Sequence, residues 1–261
     1  MIARAWGAVV LAFGALLLAL ICFAWALVTV LLLPLMTIDA GRRAGRRGAM
    51  YCFRAWLAVM EALGAWRLDF SELDRLRGAG PLILAPNHPS LLDAVFVISR
   101  LPDTVCVMKG SLARNFLFAP AARLARYVPN DSLLRLIARA GAEMERGGQL
   151  LLFPEGTRSV GPIGPFTQAV GAVSCRTRAA VQAIVIEDDV RFLGKGWPAA
   201  RIPRFPLTYR VRLGRRFDPP ADVRAFTSEL ERYFARELAR PGADEPLPQA
   251  AAVESATHLR G

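Results

Sequence analysis

The sequence predicts an α/β fold: a mixed, mostly parallel sheet flanked by helices, with an N-terminal helix inserted in a membrane. Three observations predict it. Short apolar runs such as "PLILAP", "TVCVM", "QLLLFP" and "AVQAIVI" alternate with stretches at helical spacing, the pattern of buried strands joined by crossover helices. No charged residue stands between Arg4 and Asp39, a run longer than the roughly 20 apolar residues that cross a bilayer. The length of 261 residues suits one ordinary domain with additions.

Residues 5–36, "AWGAVVLAFGALLLALICFAWALVTVLLLPLM", exceed the roughly 7–15 apolar residues of a signal-peptide core. Only Gly14 interrupts their centre, so they read as one long helix. It either spans once with tilt or folds back within one leaflet. In "DAGRRAGRR" (39–47), Arg42, Arg43, Arg46 and Arg47 outnumber the single Arg4 on the other side. The positive-inside rule then places the body on the cytoplasmic face of a cell inner membrane.

The remaining elements follow in order. Residues 49–66 read as an amphipathic helix, 66–73 as a half-exposed strand and 80–86 as a buried strand. Residues 90–100 form a helix capped by Ser90, and 103–109 a second buried strand. A helix over 111–127 breaks at Pro120. Asp131 caps and Gly147-Gly148 stop a helix over 131–148. Residues 149–156 are a strand ending in a turn, 166–179 a helix, 180–188 and 207–217 strands, and 222–239 a closing amphipathic helix. The chain divides into a membrane segment with its basic flank (1–47), a body (48–239) and a Pro/Ala-rich tail (240–261) expected to be disordered.

Net charge is +11, carried by 31 Arg and 2 Lys. Beside an apolar anchor this balance points to an anionic membrane surface rather than nucleic acid, at about 1 kcal/mol per juxtamembrane arginine. Arg in such excess over Lys is the mark of GC-rich coding and a bacterial source. The four cysteines, Cys22, Cys52, Cys106 and Cys175, are scattered without a C-x-x-C pair. They read as reduced structural thiols, neither disulfides nor metal ligands.

Two strand ends carry chemistry-bearing residues, and open α/β sheets bind ligands at such ends. One presents Asn87-His88, with Asp93 five residues on. His88 is the only histidine outside the tail. An imidazole near its pKa accepts a proton from a hydroxyl, and Asp93 stands where it can orient the other ring nitrogen. A His that only caps a helix or fills a core gives the same local pattern. The other end presents "FPEGTRS" (153–159). Gly156 allows close backbone approach, Thr157 donates, Arg158 clamps an anion bidentately, and Glu155 binds a hydroxyl or holds an arginine. A surface turn with a Glu–Arg pair is the plainer reading. Ser90 makes no hydrolase nucleophile, since no G-x-S-x-G elbow surrounds it.

Taken together, Asn87-His88-Pro89-Ser90-Leu91-Leu92-Asp93 and Phe153-Pro154-Glu155-Gly156-Thr157-Arg158, about 60 residues apart, resemble the glycerolipid acyltransferase family, best known as 1-acylglycerol-3-phosphate acyltransferases. The resemblance covers roughly 65–217 and matches the family's N-H-x-x-x-x-D and F-P-E-G-T-R motifs. It implies an α/β acyltransferase domain. His88 would be the general base, with Asp93 holding its tautomer. Glu155, Gly156, Thr157 and Arg158 would bind the polar head of a lysophospholipid acceptor. Acyl-CoA or acyl-carrier protein would be co-substrate, with no cofactor or metal.

The sequence departs from the family's pattern after Arg158. Thr167-Gln168 stand where the family commonly carries two lysines, "AAVQAI" (179–184) lacks the usual prolines, and "YVPND" (127–131) lacks an arginine. These changes touch the acceptor site and leave the His–Asp pair alone. Lys109 and Arg114, after the second strand, are candidates to meet a phosphate with Arg158, and ordinary surface charge is their alternative. Lys195 in "FLGKGWP" is a weaker candidate of the same kind. Three other functions stay open: acyl transfer to a non-phosphate or specialised lipid, a thioesterase or lipid esterase, and a lipid-binding protein with a dead site.

Overall fold

The computed structural model describes residues 2–198 and 201–239. Helix α1 (Ile2–Leu32) takes up the uncharged run as one uninterrupted helix, with Gly14 in its interior. At 1.5 Å per residue it is about 46 Å long, against roughly 30 Å of bilayer hydrocarbon. It is the one helix among the described residues long and apolar enough to cross a membrane. A turn over residues 33–36 reverses the chain into α2 (Ile38–Ala62). Thr37 caps α2, its Oγ1 accepting the Ala40 N–H.

The two helices pack side by side. The Gly14 carbonyl accepts the Trp56 indole N–H at 2.8 Å, and Trp25 lies over Gly48. The outer face of α1 leaves Phe13, Leu16, Leu20, Phe23 and Leu27 exposed.

After α2 come β1 (Trp66–Asp69), a 3-10 turn (Ser71–Leu76), β2 (Ile83–Pro86), α3 (Asp93–Ile98), β3 (Thr104–Met108), α4 (Gly110–Ala113) and α5 (Ala119–Ala125). Then follow β4 (Val128–Pro129), α6 (Leu133–Met144), β5 (Gln149–Leu151), α7 (Ala169–Thr177), β6 (Val181–Asp188), β7 (Leu207–Phe217) and α8 (Val223–Leu238). The strands form one sheet in the order β1-β7-β6-β2-β5-β3-β4. Every neighbouring pair is parallel except β6–β7. The predicted fold class, a mixed and mostly parallel sheet flanked by helices, is the observed one.

Strand alternation sorts the core in two. Ile184 and Ile186 of β6, with Tyr209 and Val211 of β7, point to the face covered by α1, α2 and α3. Val181, Ala183 and Val185 point to the face covered by α6, α7 and α8. This is the period-two geometry of a strand buried on both sides.

Several sequence expectations need correction. A boundary after residue 47 falls inside α2, which starts eleven residues earlier than expected. Its helical period turns Arg42 and Arg46 inward, where they are 6% and 3% exposed. Arg46 donates to Glu143 of α6 and to the Ala125 carbonyl, and Arg42 lies 3.7 Å from the same carboxylate. These two arginines are core ion partners. Of the four, Arg43 and Arg47 alone remain exposed.

The helix over 111–127 breaks at 114–118, not at Pro120, which sits in the first turn of α5 where its missing N–H costs nothing. Strand β1 stops at Asp69, whose Oδ1 accepts the Ser71 N–H and hydroxyl and turns the chain. Asp131 does not cap α6; its carboxylate lies 3.8 Å from Arg114. The tail over 240–261 lies outside the described residues.

Candidate active site

Strands β2 and β5 are neighbours at the centre of the sheet, so the segments leaving their carboxyl ends meet. Asn87 fixes the first of these. Its amide donates to the Ile186 carbonyl at 2.9 Å and accepts the Ile186 N–H at 2.7 Å. A side chain thereby extends the β2–β6 ladder just past Pro86, where the backbone of β2 has left it.

The next residue is His88. Its Nδ1 lies 2.7 Å from Asp93 Oδ2, and its ring stacks on Phe153 with centroids 4.0 Å apart. The same Oδ2 accepts the Ser90 N–H at 2.8 Å. Ser90 was expected to cap a helix. Instead α3 starts at Asp93, and Ser90 Oγ donates to the Phe192 carbonyl and accepts the Leu92 N–H.

Because Oδ2 already accepts one N–H, we assign the hydrogen of the pair to Nδ1, which leaves the Nε2 lone pair free. Burial pulls the His88 imidazole down to about 4, with Arg158 acting the same way and Glu155 opposing. It is therefore uncharged at neutral pH. Burial pushes the Asp93 carboxyl up, and the Ser90 N–H opposes that. The Asp93 side chain is 0% exposed and that of His88 17%, so the imidazole is the half of the pair within reach of a substrate.

The second segment locks onto the first. Glu155 Oε1 accepts the His88 backbone N–H at 2.9 Å, and Oε2 accepts the Gly164 N–H at 2.7 Å. Both oxygens are spent on scaffolding, and the residue is 5% exposed. The Ser159 N–H donates to the His88 carbonyl at 3.0 Å. Gly156 carries the turn at φ +69°, a conformation costly for any residue with a Cβ. Thr157 is exposed.

Arg158 Nη1 donates to the Leu193 carbonyl at 2.7 Å. That bond pins the guanidinium close enough to His88 and Asp93 to influence both. The loop after β6, not assigned to the site from sequence beyond Lys195, clamps both segments. Phe192 and Leu193 present their carbonyls to Ser90 and Arg158, and the Leu193 carbonyl also accepts the Leu91 N–H. Leu193 has φ +57° and Arg191 φ +49°, a strain paired with this function. Neither signal was legible as a motif. Lys109 and Arg114 flank α4 and are exposed. Lys195 is exposed on its loop. Thr167, in the place of a family lysine, folds back instead, its N–H and hydroxyl both donating to the Pro154 carbonyl.

An apolar cavity of about 240 Å³ runs between the sheet and the α1–α2 pair. It starts at Leu91, Ala94 and Val95 and reaches Tyr127, with Trp25, Phe53 and Phe118 among its walls. Such a space accepts hydrocarbon and rejects charge. The assembly therefore offers an uncharged base, a pinned cation and a greasy slot in one place. No cluster of three or more His, Cys, Asp or Glu suited to a metal occurs among the described residues.

Comparison with known proteins agrees. The Acyltransferase family matches residues 67–192, a span that holds both segments. A 1-acyl-sn-glycerol-3-phosphate acyltransferase from Pseudomonas aeruginosa is 26% identical over 207 residues, covering 76% of this chain and 77% of that protein. The crystal structure of a 1-acyl-sn-glycerophosphate acyltransferase from Thermotoga maritima superposes with a TM-score of 0.60 at 19% identity, covering 86% of this chain and 96% of that one.

Proposed function

We propose that the chain, an acyltransferase by its likeness to the Acyltransferase family over residues 67–192, moves a fatty acyl group from an acyl thioester to the hydroxyl of a lysophospholipid, 1-acylglycerol-3-phosphate before others. The observation that carries this is the uncharged His88, held by Asp93 with Nε2 free, beside Arg158 and the apolar cavity.

Nε2 takes the proton of the acceptor hydroxyl as its oxygen attacks the thioester carbonyl, and Asp93 steadies the imidazolium that forms. The C–O bond forms, the C–S bond breaks, and the departing thiolate receives the proton from His88. A thioester is already activated, so one base and good placement suffice. Arg158 would hold the acceptor phosphate, with Gly156 and Thr157 at the turn beside it. Glu155 contributes by fixing the His88 backbone. Acyl-CoA or acyl-carrier protein supplies the thioester, drawn by the net charge of +11.

A second reading, a non-phosphate or specialised lipid acceptor, draws support from the exposed Lys109 and Arg114 and from Thr167. These leave Arg158 as the one cation pinned beside the dyad among the residues expected to bind phosphate.

We read α1 as lying along the membrane interface, with its exposed face in lipid and the body on the cytoplasmic side of the inner membrane. Support comes from its packing on α2 between Gly14 and Trp25, which a perpendicular span would break.

The test is thiol release from palmitoyl-CoA by membranes carrying wild type or His88→Ala, with and without lysophosphatidic acid. Release is expected to need both, with a loss of about 10²–10⁴-fold in the variant. The base form of His88 exists above its pKa, so the acid limb of kcat/KM should lie near 4. Release that needs His88 but not this acceptor favours the second reading or water as acceptor. Undiminished release by His88→Ala removes His88 from the base role.

A further inference from the structure

We propose that Asp188 and Tyr209 are positioning residues for the catalytic pair: Asp188 holds a proton behind Asp93 and, through the Tyr209 hydroxyl, keeps Asp93 ionised and its free oxygen oriented. This rests on the reading of His88 and Asp93 as base and orienting acid.

The geometry starts from the sheet. Asp188 and Tyr209 stand directly opposite each other in the antiparallel β6–β7 pair, so their side chains leave the same face with Cβ atoms about 5 Å apart. Asp188 continues the row Ile184, Ile186, and that row faces the layer containing α3. Tyr209 is 1% exposed, and its ring packs on Phe96 at 4.7 Å between centroids. Phe96 lies three residues along α3 from Asp93. The phenol thus sits beneath the start of the helix that carries the orienting acid.

The hydrogen-bond accounting singles out this spot. Asp93 Oδ2 accepts from both His88 and Ser90. Asp93 Oδ1, Tyr209 Oη and Asp188 Oδ2 are all buried, and none has a partner among the described residues. Buried oxygens without partners are rare and costly. Three of them in one place complete one another if Asp188 is protonated. No two of these oxygens lie within hydrogen-bond distance of each other, so the relay runs through buried water: the Asp188 O–H donates to a water that links it to the phenol, and the phenol donates through a second water toward Asp93 Oδ1. A third donor, on the oxygen that His88 and Ser90 leave unused, is what an ionised Asp93 in an apolar setting requires.

The surrounding charges fit. Burial, then the nearby Asp93, push Asp188 up to about 7; Asp189 acts the same way, while Arg191, by its charge and its backbone N–H, opposes. Tyr209 is pushed upward by burial, Asp188, Asp93 and Asp189. Asp93 also faces Glu155 and Arg158 across the site. An aspartate in an unfolded chain titrates near 3.9. The folded protein therefore holds the extra proton between about pH 4 and 7, and stability declines across that window as pH rises. Above about 7 a second buried carboxylate forms behind Asp93, and the orienting acid loses its donor.

The test compares wild type with Asp188→Asn, whose amide donates at every pH. Thermal unfolding followed from pH 5 to 8 should show the wild-type Tm falling relative to the variant. Thiol release, each enzyme normalised to its own rate at pH 6, should decline about tenfold per unit above 7 in wild type and stay flat in Asp188→Asn. Tyr209→Phe supplies a second variant. Loss of the phenol should move the wild-type alkaline limb upward, whereas a purely structural loss lowers the rate evenly at all pH. An unchanged Tm difference, or an alkaline limb that neither variant moves, overturns the proposal. The unfolding arm needs no catalysis, so it stands even if His88 proves not to be the base.

Discussion

Glu155 and Arg158 lie three positions apart in one turn and do opposite work. The carboxylate is consumed by two backbone amides, those of His88 and Gly164. The guanidinium spends one nitrogen on the Leu193 carbonyl and keeps the rest of its fork near the imidazole. Residue type alone does not separate these roles, because both side chains suit a substrate equally well. The difference lies in a loop 35 residues further on, whose carbonyl fixes Arg158. Replacing Arg158 by Lys should break this division of labour, since an ammonium cannot hold Leu193 and an anion at once. A charge-assisted bond is worth roughly 1.5–3 kcal/mol. Steady-state kinetics with a phosphate-bearing acceptor should therefore show KM rising about tenfold to a hundredfold, with kcat less affected. An equal loss with a non-phosphate acceptor would contradict the phosphate role.

At the level of elements, α2 departs furthest from its expected form. Its first turns carry the arginines that composition assigns to lipid, yet the i, i+4 spacing sends Arg42 and Arg46 toward Glu143 of α6. Periodicity for an inward stripe was present in the sequence. Its partner, Glu143, lies 97 residues from Arg46, beyond the reach of local reasoning. Two buried cations share this one carboxylate, and Arg42 has Asp39 at 2.8 Å as well, so Glu143→Ala leaves Arg46 uncompensated and should cost roughly 3–5 kcal/mol. Urea unfolding would read it, and replacing Arg42 and Arg46 by Met in the same chain should recover most of the loss. The approach of α2 to α5 is equally specific: a Cβ at Gly45 would sit 2.5 Å from the Ala125 nitrogen.

On the scale of the whole molecule, α1 joins two functions. Its inner face closes the core and the apolar cavity through Val10 and Trp25. Its outer face leaves Phe13, Leu16, Leu20 and Phe23 exposed, a continuous apolar stripe far larger than single exposed residues need explaining. Burying such a side chain is worth about 1.5–3 kcal/mol. Changing these four residues to Gln should abolish co-sedimentation with anionic vesicles while leaving the fold, read by circular dichroism, intact. Retained binding would shift the attachment to Arg43, Arg47 and the net charge. The apolar cavity runs from Cys22 and Trp25 of α1 to Leu91 and Ala94, which flank Asp93 in the chain.

What the sequence determined by itself was local and compositional. Apolar runs and their spacing set the strands, the uncharged stretch set α1, and the two motifs named His88 and Asp93 because their chemistry depends on side-chain type. Tertiary structure decided everything that needed two distant segments. It set Asn87 against Ile186, Glu155 under His88, Arg158 on Leu193 and Arg46 on Glu143. It also set Asp188 opposite Tyr209, by an antiparallel pairing that no motif announces. The physical reason is that hydrogen bonds and burial are properties of pairs and neighbourhoods. A linear chain displays its donors and acceptors, and only folding assigns them to one another.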